Sequence, residues 1–230
     1  MTDLTRFDDY AENYDSALAE SLSATGEDKD YFARGRISWI AKSLESLNAR
    51  PLTAMDFGCG IGSATPHLLE QLKAESVLGV DVSARCLAVA EQEWGSGKIR
   101  FALVAEYKPC EEIDLAYSSC VFHHIPEAER SPAFDFVYRA LKPGGLFAFW
   151  ENNPWNPGTR YVMSRCEFDK DAITLSPVNA RSLLRAAGFE IISTDFLFIF
   201  PRALRALRGI EPLLSRLPLG GQYQILCRKP

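Results

Sequence analysis

Hydrophobic and polar positions change period repeatedly along this chain. Short apolar runs at 52–57, 76–82, 98–104, 113–119 and 146–151 have the length and make-up of buried strands. Helical spacing lies between them, at 64–73 and at about 132–141, and a Lys-Pro-Gly-Gly turn at 142–145 precedes the fifth strand. This alternation predicts a parallel sheet with helices on both faces and right-handed crossovers. The tail departs from it. Residues 179–187 read as a helix stopped by Gly188, 189–200 as a long apolar strand and 223–228 as a short last strand, with an insertion at 201–221 between the two strands. Ahead of the first strand, Phe7, Tyr10, Tyr14 and Leu18 share one helix face, as an aromatic stripe on the core or as a lid over a ligand. A loop and a second helix follow, with Asp28 or Asp30 placed to start it, and with Tyr31, Arg34 and Arg36 either lining a pocket or standing on the surface.

Without repeats or a linker, residues 1–230 read as one domain. Its parts are an N-terminal helical lid (1–50), a loop insertion (152–178) and the 201–221 insertion. A hydrophobic content of 47% and a charged content of 24% suit a soluble globular chain, and a net charge of -5 argues against nucleic acid as a partner. No apolar run reaches membrane-span length, and the polar, acidic start does not read as a signal peptide, so the expected location is cytoplasmic. The six cysteines show neither CxxC pairing nor zinc spacing; they are expected to be reduced, with no metal bound. A monomer and a homodimer both remain open.

The candidate chemistry starts where the first strand ends. Met55-Asp56-Phe57 breaks into glycines at alternate positions, Gly58, Gly60 and Gly62, and a helix begins just beyond. Glycine allows close backbone approach, and a helix start offers free N–H groups, so strand, turn and helix form a cradle for a ligand. The dinucleotide fingerprint GxGxxG would need a glycine at 63, where this chain has Ser63. Asp81 closes the second strand, where a carboxylate can accept both hydroxyls of a ribose or cap the next helix, a task Ser83 could equally perform.

The stretch Met55–Ser63 resembles motif I of the class I S-adenosylmethionine-dependent methyltransferases, and Asp81 and the LKPGG turn follow in that family's order. The resemblance covers residues 50–200 and implies a doubly wound, mostly parallel seven-stranded α/β sheet whose last strand is antiparallel. It implies binding of S-adenosylmethionine, with S-adenosylhomocysteine as product. By resemblance, Gly58, Cys59 and Gly60 cradle the cofactor. Asp56 helps hold its methionine end, Asp81 its ribose, and Val82 lies against adenine. Tyr14, in a segment similar to the family's F-x-x-x-A-x-x-Y-D start, reaches the methionine end, and Ser118 lies beside the cofactor. The family's acid after the third strand is absent here. Glu106 stands one residue out of place, and the Ala105 backbone is the alternative adenine contact.

Beyond the fourth strand, Val121-Phe122-His123-His124-Ile125 resembles the family's hydrophobic-His-His-hydrophobic run. Consecutive residues on a helix cannot face one spot, so one histidine at most is expected to act as a base, and two without a third ligand are poor support for a metal. His123, His124 and Glu151 are the candidate bases. The loop after the fifth strand, Glu151-Asn152-Asn153-Pro154-Trp155-Asn156-Pro157, resembles that of a bacterial subgroup of the family, and Asn152, Asn153, Trp155 and Arg160 are the expected acceptor contacts. In the 201–221 insertion, leucines alternate with Arg202, Arg205, Arg208 and Arg216; such a stretch either packs its leucines or touches a lipid surface. The expected function is methyl transfer from S-adenosylmethionine to a sugar, lipid-linked or aromatic small molecule. A cofactor-binding protein without turnover and a nicotinamide-dependent oxidoreductase are the other readings.

Overall fold

A computed structural model describes residues 21–166, 169 and 172–230. The expected helix over Phe7 to Leu18, with Tyr14, lies outside the described residues. Seven strands form one sheet in the order β3-β2-β1-β4-β5-β7-β6. They are β1 (Thr53–Phe57), β2 (Ser76–Asp81), β3 (Ile99–Leu103), β4 (Ile113–Ser119), β5 (Leu141–Asn152), β6 (Glu190–Leu197) and β7 (Gln222–Arg228). The first five run parallel, while β7 runs antiparallel to both β5 and β6. The helices are α1 (Lys29–Ser46), α2 (Thr65–Leu72), α3 (Ala84–Trp94), α4 (Glu127–Ala140), α5 (Pro157–Arg165), α6 (Pro177–Ala186) and the short α7 (Glu211–Leu214).

Side chains divide the core by the period of two expected of strands. Met55 and Phe57 of β1, with Phe147 and Phe149 of β5, face a cluster completed by Phe134 and Val137 of α4 and Leu184 of α6. Ala54, Leu146, Ala148 and Trp150 face the opposite cluster, with Ile37, Ile40 and Leu44 of α1 and Leu68 of α2. α1 therefore packs one face on the sheet, while Tyr31, Phe32 and Arg36 of the same helix line the cavity described below. It starts where Asp28 accepts the N–H of Tyr31 (2.8 Å), so Asp28 and not Asp30 is its cap.

Two element boundaries differ from the sequence reading for local reasons. α4 starts five residues before 132, so Pro132 lies inside the helix rather than at its start and lacks the N–H that would reach the Ala128 carbonyl. The KPGG turn does not precede β5 but interrupts it. Leu141 pairs with Ile113 and Leu146 with Leu115, so residues 142–145 loop out between them, with Gly144 at φ +79°.

After β3 the chain crosses β1 and β2 to enter β4. The order of strands therefore reverses between β1 and β4, and their carboxyl ends flank the crevice where open α/β sheets take ligands.

Candidate active site

The loops leaving β1 and β4 pack side by side at this crevice. A Cβ on Gly58 would stand 2.5 Å from Val121 Cγ2, and Gly58 holds φ +74°, so both contact and conformation require glycine. Gly60, at φ +52°, would meet nothing within 4 Å and borders open space. Replacing Gly58 with alanine is expected to cost about 1–3 kcal/mol in stability. Adding Val121→Ala should recover the part due to the clash and leave the part due to φ; urea denaturation of the single and double variants measures both.

Asp81 organises this loop. Its Oδ2 accepts the N–H of Gly60 (2.8 Å) and its Oδ1 that of Ser83 (2.9 Å), while Ser83 Oγ accepts the N–H of Cys86 and so caps α3. The cap thus belongs to Ser83, and Asp81 faces a cavity of about 870 Å³ that Gly58, Gly60, Val82 and Val104 also line. That volume is near the upper end for small-molecule sites, with space for a cofactor and an acceptor. A glycine floor and a strand-end carboxylate that line one cavity fit an adenosine-bearing ligand.

Other expected cofactor contacts stand further back. Asp56 is buried beneath the loop and accepts the hydroxyl hydrogen of Thr65 (2.8 Å), which ties β1 to α2. Cys59 turns its thiol back toward Gly79. Ser118 is fully buried, and Ser119 and Cys120 line the cavity in its place. Ala105 and Glu106 sit exposed in the turn after β3, outside the lining, which Val104 reaches instead.

Burial pushes the Asp56 carboxyl up to about 7, with its bond to Thr65 opposing the shift. Its folded value lies above its unfolded one, so its contribution to stability is complete below about pH 4 and is lost as pH rises through about 7. Asp56→Asn should therefore gain stability relative to the wild type between pH 5 and pH 8, read from urea denaturation at both.

A second part of the cavity wall carries the two histidines. They occupy a turn rather than a helix, closed by the His124 N–H to the Val121 carbonyl, and their ring centroids are 4.1 Å apart. Both therefore reach the cavity, contrary to the helical expectation. Buried Arg130 latches this turn by donating to the carbonyls of Phe122 and Ile125. Glu151 does not face the cavity; it lies behind the histidines. Its Oε1 accepts the N–H of Phe122 (2.8 Å), and its Oε2 is 2.6 Å from His123 Nδ1.

Asp169 completes the cluster, with Oδ1 3.3 Å from His123 Nε2 and 3.5 Å from His124 Nε2. Burial pulls the His123 pKa down, but the Glu151 carboxylate and the bond to Asp169 outweigh it and raise it to about 10. His123 is thus an imidazolium donating from both nitrogens, and His124, with 19% of its side chain exposed, lines the cavity. The ligand atoms of His123, His124 and Asp169 lie within 4.8 Å of one another, so the sequence reading lacked a third group that the fold supplies. Such a set has the composition of a divalent-cation site, but a His123 imidazolium has no lone pair to offer a metal, so an ion-pair network is the reading its protonation favours.

Of the expected acceptor contacts only Asn152 lines the cavity. Asn153 is fully buried and donates to the carbonyls of Pro218 and Gly220, which fastens the 201–221 insertion. Trp155 stacks on Phe196 and is 50% exposed, and Arg160 points to solvent. Other residues of the wall come from distant parts of the chain, and Arg36, left open in the sequence between pocket and surface, is one of them. Arg36 donates to the Tyr117 hydroxyl (2.9 Å) and to Gln222 Oε1 (3.0 Å), while Phe198 and Tyr161 add apolar wall. Cys120 also lines the cavity, but burial and then the Glu151 charge push its thiol up to about 12, which removes it as a nucleophile at neutral pH.

A family model described as a methyltransferase domain matches residues 55–147. An uncharacterized methyltransferase of Synechocystis is 30% identical over 156 residues, which cover 65% of this chain and 72% of the relative. A trans-aconitate 2-methyltransferase of Rhizobium leguminosarum is 30% identical over 95 residues, 41% of this chain; the chain spans about a third (36%) of that relative's length. An S-adenosylmethionine-dependent methyltransferase structure from Mesorhizobium loti superposes with a TM-score of 0.59 at 22% identity, covering 81% of this chain and 96% of that one. With the reversed strand order, the antiparallel β7 and the Asp81-anchored glycine loop, these similarities place the chain in the class I S-adenosylmethionine-dependent methyltransferases.

Proposed function

We propose that this chain moves a methyl group from S-adenosylmethionine to a hydroxyl of a small-molecule acceptor. When bound, the cofactor supplies a methyl group already activated on a sulfonium and leaves as S-adenosylhomocysteine. Gly58 and Gly60 would receive its backbone-facing side, Asp81 its ribose, and Val82 and Val104 its base. Enclosure by the cavity walls excludes water, and positioning supplies much of the rate.

The observation that carries the acceptor half is the His123–His124–Asp169 cluster on the cavity wall beside the glycine loop. His123, held as an imidazolium by Glu151, fixes Asp169. His124 then takes the acceptor's proton as the new oxygen–carbon bond forms. Arg36 and Asn152 orient the acceptor's polar groups. The family model ends at residue 147, ahead of the segments at 152–166, 169 and 198–222 that line this half, so a relative's acceptor does not carry over.

The test is release of S-adenosylhomocysteine from S-adenosylmethionine over a panel of sugar, phenolic and lipid-linked alcohols. Turnover with one class, reduced by roughly 100-fold or more in His124→Asn with cofactor binding intact, supports the reading. Full turnover in that variant removes His124 from the role.

A further inference from the structure

Of the two readings left open for the 201–221 insertion, packing of its leucines is not the one the structure shows. No residue of its 3-10 segment Arg202–Ile210 is buried. Leu204, Leu207 and Ile210 are 43–48% exposed, Leu217 and Leu219 about half exposed, and Leu213 is 83% exposed. Exposed large apolar residues are thus concentrated in this insertion, and side-by-side concentration is what marks a contact surface. Trp155 extends the patch, because Asn156 Nδ2 donates to the Leu219 carbonyl (2.7 Å) and holds the Trp155 loop against the end of the insertion.

The charges here oppose those of the whole chain. Four arginines and one acid, Glu211, lie between 201 and 219 in a protein of net charge -5. Arg202 and Arg205 are exposed, while Arg208 pairs with Glu27 (2.9 Å) and Arg216, its side chain 68% exposed, lies 3.4 Å from Asp195. A second copy of the chain is a poor occupant, since a two-fold contact would set this basic patch against itself. Leucines, an amphipathic tryptophan and arginines on one face match the boundary of an anionic bilayer. The patch also adjoins the cavity, whose wall includes Pro201 and Arg208 from the insertion, Phe200 just before it and the half-exposed Tyr161.

We propose that residues 201–219 dock on an anionic lipid surface and bring the cavity to it, so that the acceptor is a polar head carried on a lipid tail. The docking stands by itself; the acceptor class rests on the methyltransferase reading above.

The experiment is co-sedimentation of the full chain with phosphatidylcholine vesicles, with and without about a third phosphatidylglycerol, and with S-adenosylhomocysteine affinity measured in parallel. Binding to the anionic vesicles is expected, weakened by salt and by Arg205→Glu. It should fall about tenfold or more in the triple variant Leu207→Glu, Leu213→Glu, Leu217→Glu, with S-adenosylhomocysteine affinity unchanged. Equal binding to both vesicle types, no binding to either, or full binding by the triple variant overturns the docking. So does a wild-type dimer that the triple variant breaks, because the patch then belongs to a second copy. Loss of S-adenosylhomocysteine binding by the wild-type chain would strike the methyltransferase reading and leave the docking result standing.

Discussion

Glu151→Gln is expected to cut turnover by roughly 100-fold while leaving the KM for S-adenosylmethionine within a few fold. Glu151 touches neither the cofactor cradle nor the open cavity. It acts through His123, to which it presents Oε2 at 2.6 Å, and it fixes the backbone of the same turn through the Phe122 N–H. The variant removes the charge that keeps His123 protonated, so Asp169 loses a cationic partner and His124 its fixed neighbour. Breaking a buried pair of this kind costs about 3–5 kcal/mol, so thermal stability should drop as well. The pH dependence separates this from general damage. His123 has a folded value near 10, above its ordinary 6.5, so the stability it contributes is complete below about pH 6.5 and is lost as pH rises through 10. Wild-type stability should therefore decline from pH 6.5 to 10. Glu151→Gln should start lower and decline less. An equal slope in both proteins would mean that Glu151 does not set the His123 charge.

Asp81→Ala is expected to weaken S-adenosylhomocysteine binding by about 100-fold. Two charge-assisted bonds to ribose hydroxyls, at about 1.5–3 kcal/mol each, would be lost. The variant also leaves the N–H groups of Gly60 and Ser83 without their acceptor, so the loop loses its anchor. Asp81→Asn keeps the shape but supplies one acceptor oxygen and no charge, and should fall between the two. α3 should survive in both variants because its cap is Ser83, so far-ultraviolet circular dichroism should not change. Affinity in Asp81→Ala within a few fold of wild type would place the ribose elsewhere.

The strands of the parallel half were legible because each is a short apolar run closed by a turn signal, and the glycine loop because its spacing is local. Gly58, Gly60 and Asp81 could thus be read from local sequence, whereas Cys59, Ala105, Glu106 and Ser118, expected beside them, do not line the cavity. The acceptor side could not be read in this way, because it is assembled across the sheet. Gln222 enters from the strand inserted last, Arg36 from the helix before β1, and Asp169 from a loop 46 residues past His123. Polarity in the Asn152–Pro157 loop was taken as a sign of acceptor contact, yet Asn153 spends its amide fastening the insertion. Helical spacing misjudged the histidines because the segment is a turn. The same pattern rules cannot tell a leucine packed on the core from one left in solvent, and the leucines of the 201–221 insertion proved to be the second kind.

The central claim is that the Asp81-anchored glycine loop is an S-adenosylmethionine site. Calorimetric titration of the purified chain with S-adenosylmethionine, S-adenosylhomocysteine and the reduced nicotinamide dinucleotides tests it most directly. Saturable one-site binding of the first two, with no heat from the nicotinamides, is the predicted result. Failure of both sulfur ligands to bind, or binding of a nicotinamide in their place, would contradict it.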